Sequence, residues 1–368
     1  MPISGPGVAA GESAVTSPLP TPEPWPPARR GDAALPSGRP PTARLLGLAE
    51  RLLLGAGVVL FLVLVYRLGP SAVWGNLHLI GWGFVVMLAQ EGLSYLLNTT
   101  GWRFAFPPPR PAVRFRQLLA ARLAGEAINN LTPTATIGGE VVRGRMLEGV
   151  VEPSSAWASV AIAKLMQTLA QMGFVFLGLL VVVRDTPLPA GFAHGLLIGL
   201  TVLSSGLFAA ILMQRRGMFT AAARLAARLG IRIPERLGEQ LHRLDAEIAR
   251  FYAAPGAFAL SALGFFIAWC MGVVEVYVVL HFLQVGASVS RAVTIEVLSV
   301  ALDALIFFVP AKAGTQEGGK VLIFHLLGLD PAKGLALGIA RRLRELSWSI
   351  VGLVVLARHH ARRRTAPR

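Results

Sequence analysis

Two cations stand deep inside long apolar runs, each eleven residues after a proline: Lys164 after Pro153 and Arg342 after Pro331. Eleven residues of helix rise about 16 Å, half of a hydrocarbon layer ~30 Å thick. A charge at that depth costs roughly 2.5–3.5 kcal/mol on insertion scales, so it needs a partner or a task. At 3/4 spacing, Lys164 shares a helix face with Gln167, Thr168 and Gln171, and Arg342 shares one with Glu345 and Ser349. Arg341 and Arg344 lie at the same depth. Cations of this kind hold an anion, and a guanidinium binds phosphate bidentately. In a bilayer the abundant anion is a lipid phosphate. Lys164, Arg341 and Arg342, with Gln167 and Gln171 beside them, are therefore candidate head-group ligands. Glu126, Glu140, Asp303, Glu317 and Glu345 have two open readings: structural neutralisation of these cations and of Lys312, Lys320 and Arg344, or transfer of coupling protons.

The elements that must position these residues are two segments broken by proline and glycine, 112–148 and 288–327. The first carries Pro133 and Gly138-Gly139; the second carries Pro310, Gly314 and Gly318-Gly319. Both read as re-entrant helical hairpins, because broken backbone at membrane depth is tolerated only against protein or a water-filled cavity. Gly138, Gly139, Gly318 and Gly319 allow close backbone approach at the tips, where a helix start directs its positive dipole end toward an anion. The two segments match position by position. Glu126 and Asp303 lie seven residues before the prolines, and Glu140 and Glu317 seven after. With Pro153/Pro331 and Lys164/Arg342, the offset drifts only from 177 to 178. The unit is span, span, hairpin, span, once over 45–183 and again over 190–357.

Composition supports the same class. Of 368 residues, 54% are hydrophobic and 15% charged, with mean hydropathy +0.59, against roughly 25% charged in a soluble chain. A soluble enzyme is excluded on this ground. A disulfide scaffold is excluded by the single Cys270. Runs at 45–66, 78–99, 154–183, 190–213, 256–285 and 331–357 are long enough to cross a bilayer. The expected fold is an all-α polytopic membrane protein with about six full spans plus two re-entrant helical hairpins. The net charge of +15 needs no nucleic acid, since no reader motif is present. If both termini share one side, that side takes most of the Lys and Arg, including the 103–122 stretch, Arg143 and Arg145. Arg67, Arg184, Arg291 and Lys333 fall on the other. The positive-inside rule then makes both termini cytoplasmic and the two repeats inverted. Inverted repeats with broken helices are the layout of many alternating-access transporters.

Residues 1–44 hold 11 of the 25 prolines and read as a disordered cytoplasmic tail; residues 358–368 read as a basic cytoplasmic tail. Within the insertion at 214–255, Leu237, Leu241, Leu244, Ile248 and Phe251 form an amphipathic stripe, for the anionic leaflet or for a partner. Glu91 with Gln90, Ser94 and Asn98 forms a polar stripe that extends the cavity or bonds across helices, and Glu275 reads similarly. The histidines show no metal-ligand spacing, and nothing calls for a metal or cofactor.

The stretch Gly125-Glu126-Ala127-Ile128-Asn129-Asn130-Leu131-Thr132-Pro133, then Gly138-Gly139-Glu140, resembles the first signature of the lysylphosphatidylglycerol synthase transmembrane, or flippase-like, superfamily. Pro310 through Glu317-Gly318-Gly319 and Arg341-Arg342-Leu343-Arg344-Glu345 resemble the second, although Lys312, Thr315 and Gln316 depart from a glycine-richer pattern. The resemblance covers about 45–357 and is greatest to the hopanoid-biosynthesis-associated members. It implies an inner-membrane lipid flippase or translocator for an anionic or hopanoid-related polar lipid, and adds Asn129 and Asn130 to the head-group set. It also implies no aminoacyl-transferase activity, because the membrane part uses up the chain. Lipid-biosynthesis enzymes are possible partners. The competing expectation is a non-transport scaffold for lipid-modifying enzymes, working through the tail and the insertion.

Overall fold

The computed structural model describes residues 59, 62–63, 65–132, 137–185, 190–230, 234–305 and 314–365. Expectations for the 1–44 tail, Pro133, Pro310, Lys312 and most of the 45–66 span lie outside these residues. All described residues belong to one unit, 45–368. Among them there is no strand, and twelve helices follow one another. In chain order they are α1 (Pro70–Ile80), α2 (Gly83–Phe104), α3 (Phe115–Leu131), α4 (Ile137–Leu147), α5 (Pro153–Asp185) and α6 (Ala190–Arg215). Then come α7 (Met218–Arg228), α8 (Glu235–Tyr252), α9 (Pro255–Phe282), α10 (Val289–Leu305), α11 (Thr315–Leu326) and α12 (Pro331–Thr365).

By length and composition, three described helices can cross a membrane: α5, the 197–215 part of α6, and α9. A fourth candidate is the pair α1 and α2, bent by 66°. The expected 78–99 span is thus displaced. Gly81, at φ 43°, ends α1, and the span proper starts at Gly83. Helix α12 has 35 residues, ample to span, but its arginines keep it out of the apolar class. It continues to Thr365, so the tail expected from 358 starts as helix.

Each of the two broken segments holds a pair of helices that touch each other. In the first, Gly125 of α3 faces Gly139 of α4. In the second, Gln316 Nε2 of α11 donates to Asp303 Oδ2 of α10 at 3.2 Å. The long helix after each hairpin starts in the same way. Glu152 accepts the Ser155 N–H (3.1 Å) just before Pro153, and Asp330 accepts the Ala332 N–H (2.9 Å) just before Pro331. A carboxylate cap followed by proline satisfies orphan donors where proline's missing N–H costs nothing.

The packing is crosswise. α2 and α9 run antiparallel, with Gly83 against Phe282, Gly264 against the Gly101 backbone, and Ser261 Oγ donating to Gly101 O at 3.0 Å. First-hairpin α3 lies on α12, where Gly352 meets the Leu123 carbonyl and Asn130 Nδ2 donates to Ser349 Oγ at 3.3 Å. Second-hairpin α10 lies on α5, where Val293 and Val297 fill the space above Gly178. Two apolar layers result. One contains Trp102, Leu118, Ile162, Met166 and Phe265. The other contains Met87, Phe174, Val276, Leu280 and Phe324. α2, α5 and α9 contribute to both.

The insertion differs from expectation. Leu244, Ile248 and Phe251 of α8 are buried in the first apolar layer, so most of the stripe is already covered by this chain. Leu237 alone among the five stays clearly exposed. Asp245, on the same face, caps α7: it accepts the Thr220 N–H (2.7 Å), the Phe219 N–H (3.2 Å) and the Thr220 hydroxyl (2.6 Å). An apolar stripe this close to an apolar bundle buries more area by docking than by lying on a leaflet.

Candidate functional site

Between the two apolar layers lies a polar cavity of 180 Å³, room for about six waters. Six helices line it. α2 supplies Gln90, Glu91, Ser94, Tyr95 and Asn98; α3 supplies Arg122 and Glu126; α9 supplies Gly272 and Glu275. α5 supplies Gln167, α10 supplies Glu296, and α12 supplies Arg341 and Arg344.

Its charges are locked together. Glu275, whose side chain is 1% exposed, receives Arg341 at 3.1 Å and Arg344 at 2.5 Å. Arg344 also reaches Glu91 at 3.3 Å. Arg341 also pairs with Glu296, and its side chain is only 12% exposed. On the α3 side, Arg143 pairs with Glu126 (2.7 Å) and Glu140 (2.8 Å), while Arg122 lies 3.8 Å from Glu126. In a low dielectric each arginine is held because its alternative is an uncompensated buried charge.

A second arrangement recurs at the repeat offset. Lys164 Nζ of α5 lies 3.9 Å from Glu140 of α4, and Arg342 Nε of α12 lies 3.1 Å from Glu317 of α11. Arg342 also lies 3.5 Å from Glu345. These two cations are the more accessible ones: the Lys164 side chain is 43% exposed and that of Arg342 is 25% exposed. Each sits where a hairpin's second helix meets the long helix that follows.

The expected site residues therefore divide. Gln167, Glu126 and Arg341 line the cavity, but Arg341 is sandwiched between carboxylates, which corrects its expected role as an open head-group ligand. Lys164 pairs with Glu140, and Arg342 pairs with the buried Glu317 and with Glu345, so the accessible members are the two cations. Gln171 is half-buried on the Lys164 face. Asp303 holds Gln316. Asn129 is committed to the hairpin: its Oδ1 accepts the Gly139 N–H at 2.8 Å. Asn130 bonds Ser349, tying α3 to α12.

Gly139 has a packing reason of its own. A Cβ there would overlap the Gly125 carbonyl and the Asn129 side chain, so its bareness serves the α3–α4 crossing and not a lipid. Gly138 is half-buried beside it. At Gly319 a Cβ would make only ordinary contact with Leu302, at 3.5 Å, and Gly318 continues α11 through an N–H to Gly314 O at 2.9 Å. α11 starts at Thr315, after Gly314 at φ 73°, one turn earlier than Gly318 suggested.

Sequence reasoning missed the centre of the network. Glu296 received no role, Glu275 and Glu91 were read as lesser features, and Arg122 and Arg143 were counted among flanking cytoplasmic charges. Both arginines are 4% exposed and paired in the bundle. The signal was present in the i,i+4 spacing of Arg122 with Glu126 and the i,i+3 spacing of Glu140 with Arg143.

No solved structure matches the chain. A UPF0104 membrane protein of Methanothermobacter thermautotrophicus (strain Delta H) is 24% identical over 322 residues, covering 83% of this chain and 94% of that protein. The family model described as the lysylphosphatidylglycerol synthase TM region matches residues 49–353. With apolar spanning helices around a charged interior, the chain is a helical membrane protein and belongs to the lysylphosphatidylglycerol synthase transmembrane-region family.

Proposed function

We propose that this protein is a lipid translocator, in which a polar head group passes the accessible cations Lys164 and Arg342 and the cavity between the two apolar layers. The observation that carries the reading is the recurrent pair Lys164–Glu140 and Arg342–Glu317, at 3.9 and 3.1 Å. These two cations, with side chains 43% and 25% exposed, can reach a phosphate beside their carboxylates. The arginines of the inner network are shielded from it, with side chains 5–12% exposed. Crosswise packing of two similar units accords with inverted repeats that rock about a shared cavity. In this reading the termini are cytoplasmic, the membrane is a bacterial inner membrane, and the cargo is an anionic phospholipid or a hopanoid-related polar lipid. Aminoacyl transfer is no part of it.

Native mass spectrometry of the purified protein tests the site. The wild type is expected to carry one specifically bound lipid more than Lys164→Ala/Arg342→Ala. Equal lipid on both proteins would return these cations to structural ion pairing and favour a scaffold that assembles lipid-modifying enzymes.

A further inference from the structure

A second, larger cavity lies away from the charged network, where α2 ends and α3 begins. Its volume is 540 Å³, within the range of ordinary ligand pockets. The wall mixes two chemistries. Phe104, Phe106, Val113, Phe115 and Leu118 are apolar, and Thr100, Arg103 and Arg110 stand among them. No acidic residue lines it. That contrasts with the bundle interior, where Arg122, Arg143, Arg341, Arg342 and Arg344 all have carboxylate partners. Among the described residues, neither Arg103 nor Arg110 makes an ion pair. Arg110 is nonetheless held in place: its guanidinium carbon sits 4.7 Å from the centre of the Phe104 ring. Stacking on a ring face fixes the plane of the cation and leaves its N–H edges available for an anion.

We propose that this pocket is a resident site for one anionic phospholipid, distinct from the central cavity. Arg103 and Arg110 take the phosphodiester, and the glycerol and upper acyl chain lie along Phe104 and Phe115, the two partly exposed rings. A wall with both cations and aromatic rings matches an amphiphile better than a free anion, which would leave the rings wet. The assignment does not rest on transport: the site stands whether or not the protein moves lipid.

The test uses full-length protein, delipidated in detergent and then given phosphatidylglycerol or phosphatidylcholine, with retained lipid counted by native mass spectrometry. At least one phosphatidylglycerol is expected per chain, with phosphatidylcholine not retained at the same concentration. Arg103→Gln/Arg110→Gln is expected to lower retention about tenfold or more, since two charge-assisted contacts are lost. Arg228→Gln, at an exposed arginine outside the pocket, is expected to keep the lipid. Both arginines are exposed, so the double variant should remain monodisperse; Arg110→Gln alone is expected to show a smaller loss of the same sign. Equal retention by Arg103→Gln/Arg110→Gln, equal retention of phosphatidylcholine, or loss in Arg228→Gln but not in Arg103→Gln/Arg110→Gln would each overturn the assignment. Inorganic phosphate binding as tightly as the lipid would also overturn it, since the site would then read only the phosphate.

Discussion

Replacing Glu275 by Gln removes the carboxylate that serves both Arg341 (3.1 Å) and Arg344 (2.5 Å), at a side chain 1% exposed. Breaking a buried ion pair from one side costs about 3–5 kcal/mol, because the remaining charge stays buried. Here each arginine keeps another carboxylate, Glu296 for Arg341 and Glu91 for Arg344. The lower end, about 3 kcal/mol, therefore applies. At about 2 °C per kcal/mol for a larger chain, the unfolding midpoint falls by roughly 6 °C. Lys164→Ala supplies the contrast. Its pair is 3.9 Å long and its side chain 43% exposed, so about 0–1 kcal/mol and a shift under ~2 °C are expected. Tryptophan fluorescence during heating in one detergent, at one scan rate, compares the two variants on equal terms even if unfolding is irreversible. An unshifted Glu275→Gln protein, or a Lys164→Ala protein shifted as far, would refute the division into a locked network and accessible cations.

Other expectations follow from single contacts. Gly139→Ala should lower expression and thermal stability sharply, since its Cβ would overlap backbone at the α3–α4 crossing, while Gly319→Ala should be tolerated; comparison by size-exclusion chromatography decides. Gly352→Ala should behave like Gly139→Ala, because its Cβ would meet the Leu123 carbonyl and push α12 from α3. Asp245→Ala should destabilise the α7–α8 corner by about 1 kcal/mol through loss of the cap, read as faster proteolysis at that corner and an unchanged core. Burial pushes the Tyr252 phenol up to about 12, and its hydroxyl donates to Gln214 Oε1 at 3.1 Å. The fold thus favours the protonated phenol. That stability is intact below a pH of about 10 and is lost as pH rises through the folded value. Tyr252→Phe should remove this part of the alkaline sensitivity in a melting series.

Much of the helical plan was legible because glycine, proline and apolar length act locally. Pro153 and Pro331 start long helices where expected, and the two broken segments are helix pairs. The Lys164/Glu140 and Arg342/Glu317 matches were visible as spacing and appear as contacts. What the sequence hid depends on helices far apart in the chain. Glu275 meets Arg344 because α9 and α12 converge, and periodicity within either helix gives no hint of it. Gly139 looked like a tip glycine because only the α3–α4 crossing shows that Gly125 and Asn129 occupy its missing Cβ. The α8 stripe had two possible covers in one dimension, and folding supplied a third, the bundle itself.

The central claim is tested most directly by transport. Purified protein in proteoliposomes of defined phospholipid, with head groups in the outer leaflet scored by an impermeant reagent, should exchange lipid between leaflets faster than empty vesicles. Lys164→Ala/Arg342→Ala, incorporated equally and monodisperse, should fall to the empty-vesicle rate. Full exchange by that variant would contradict the account.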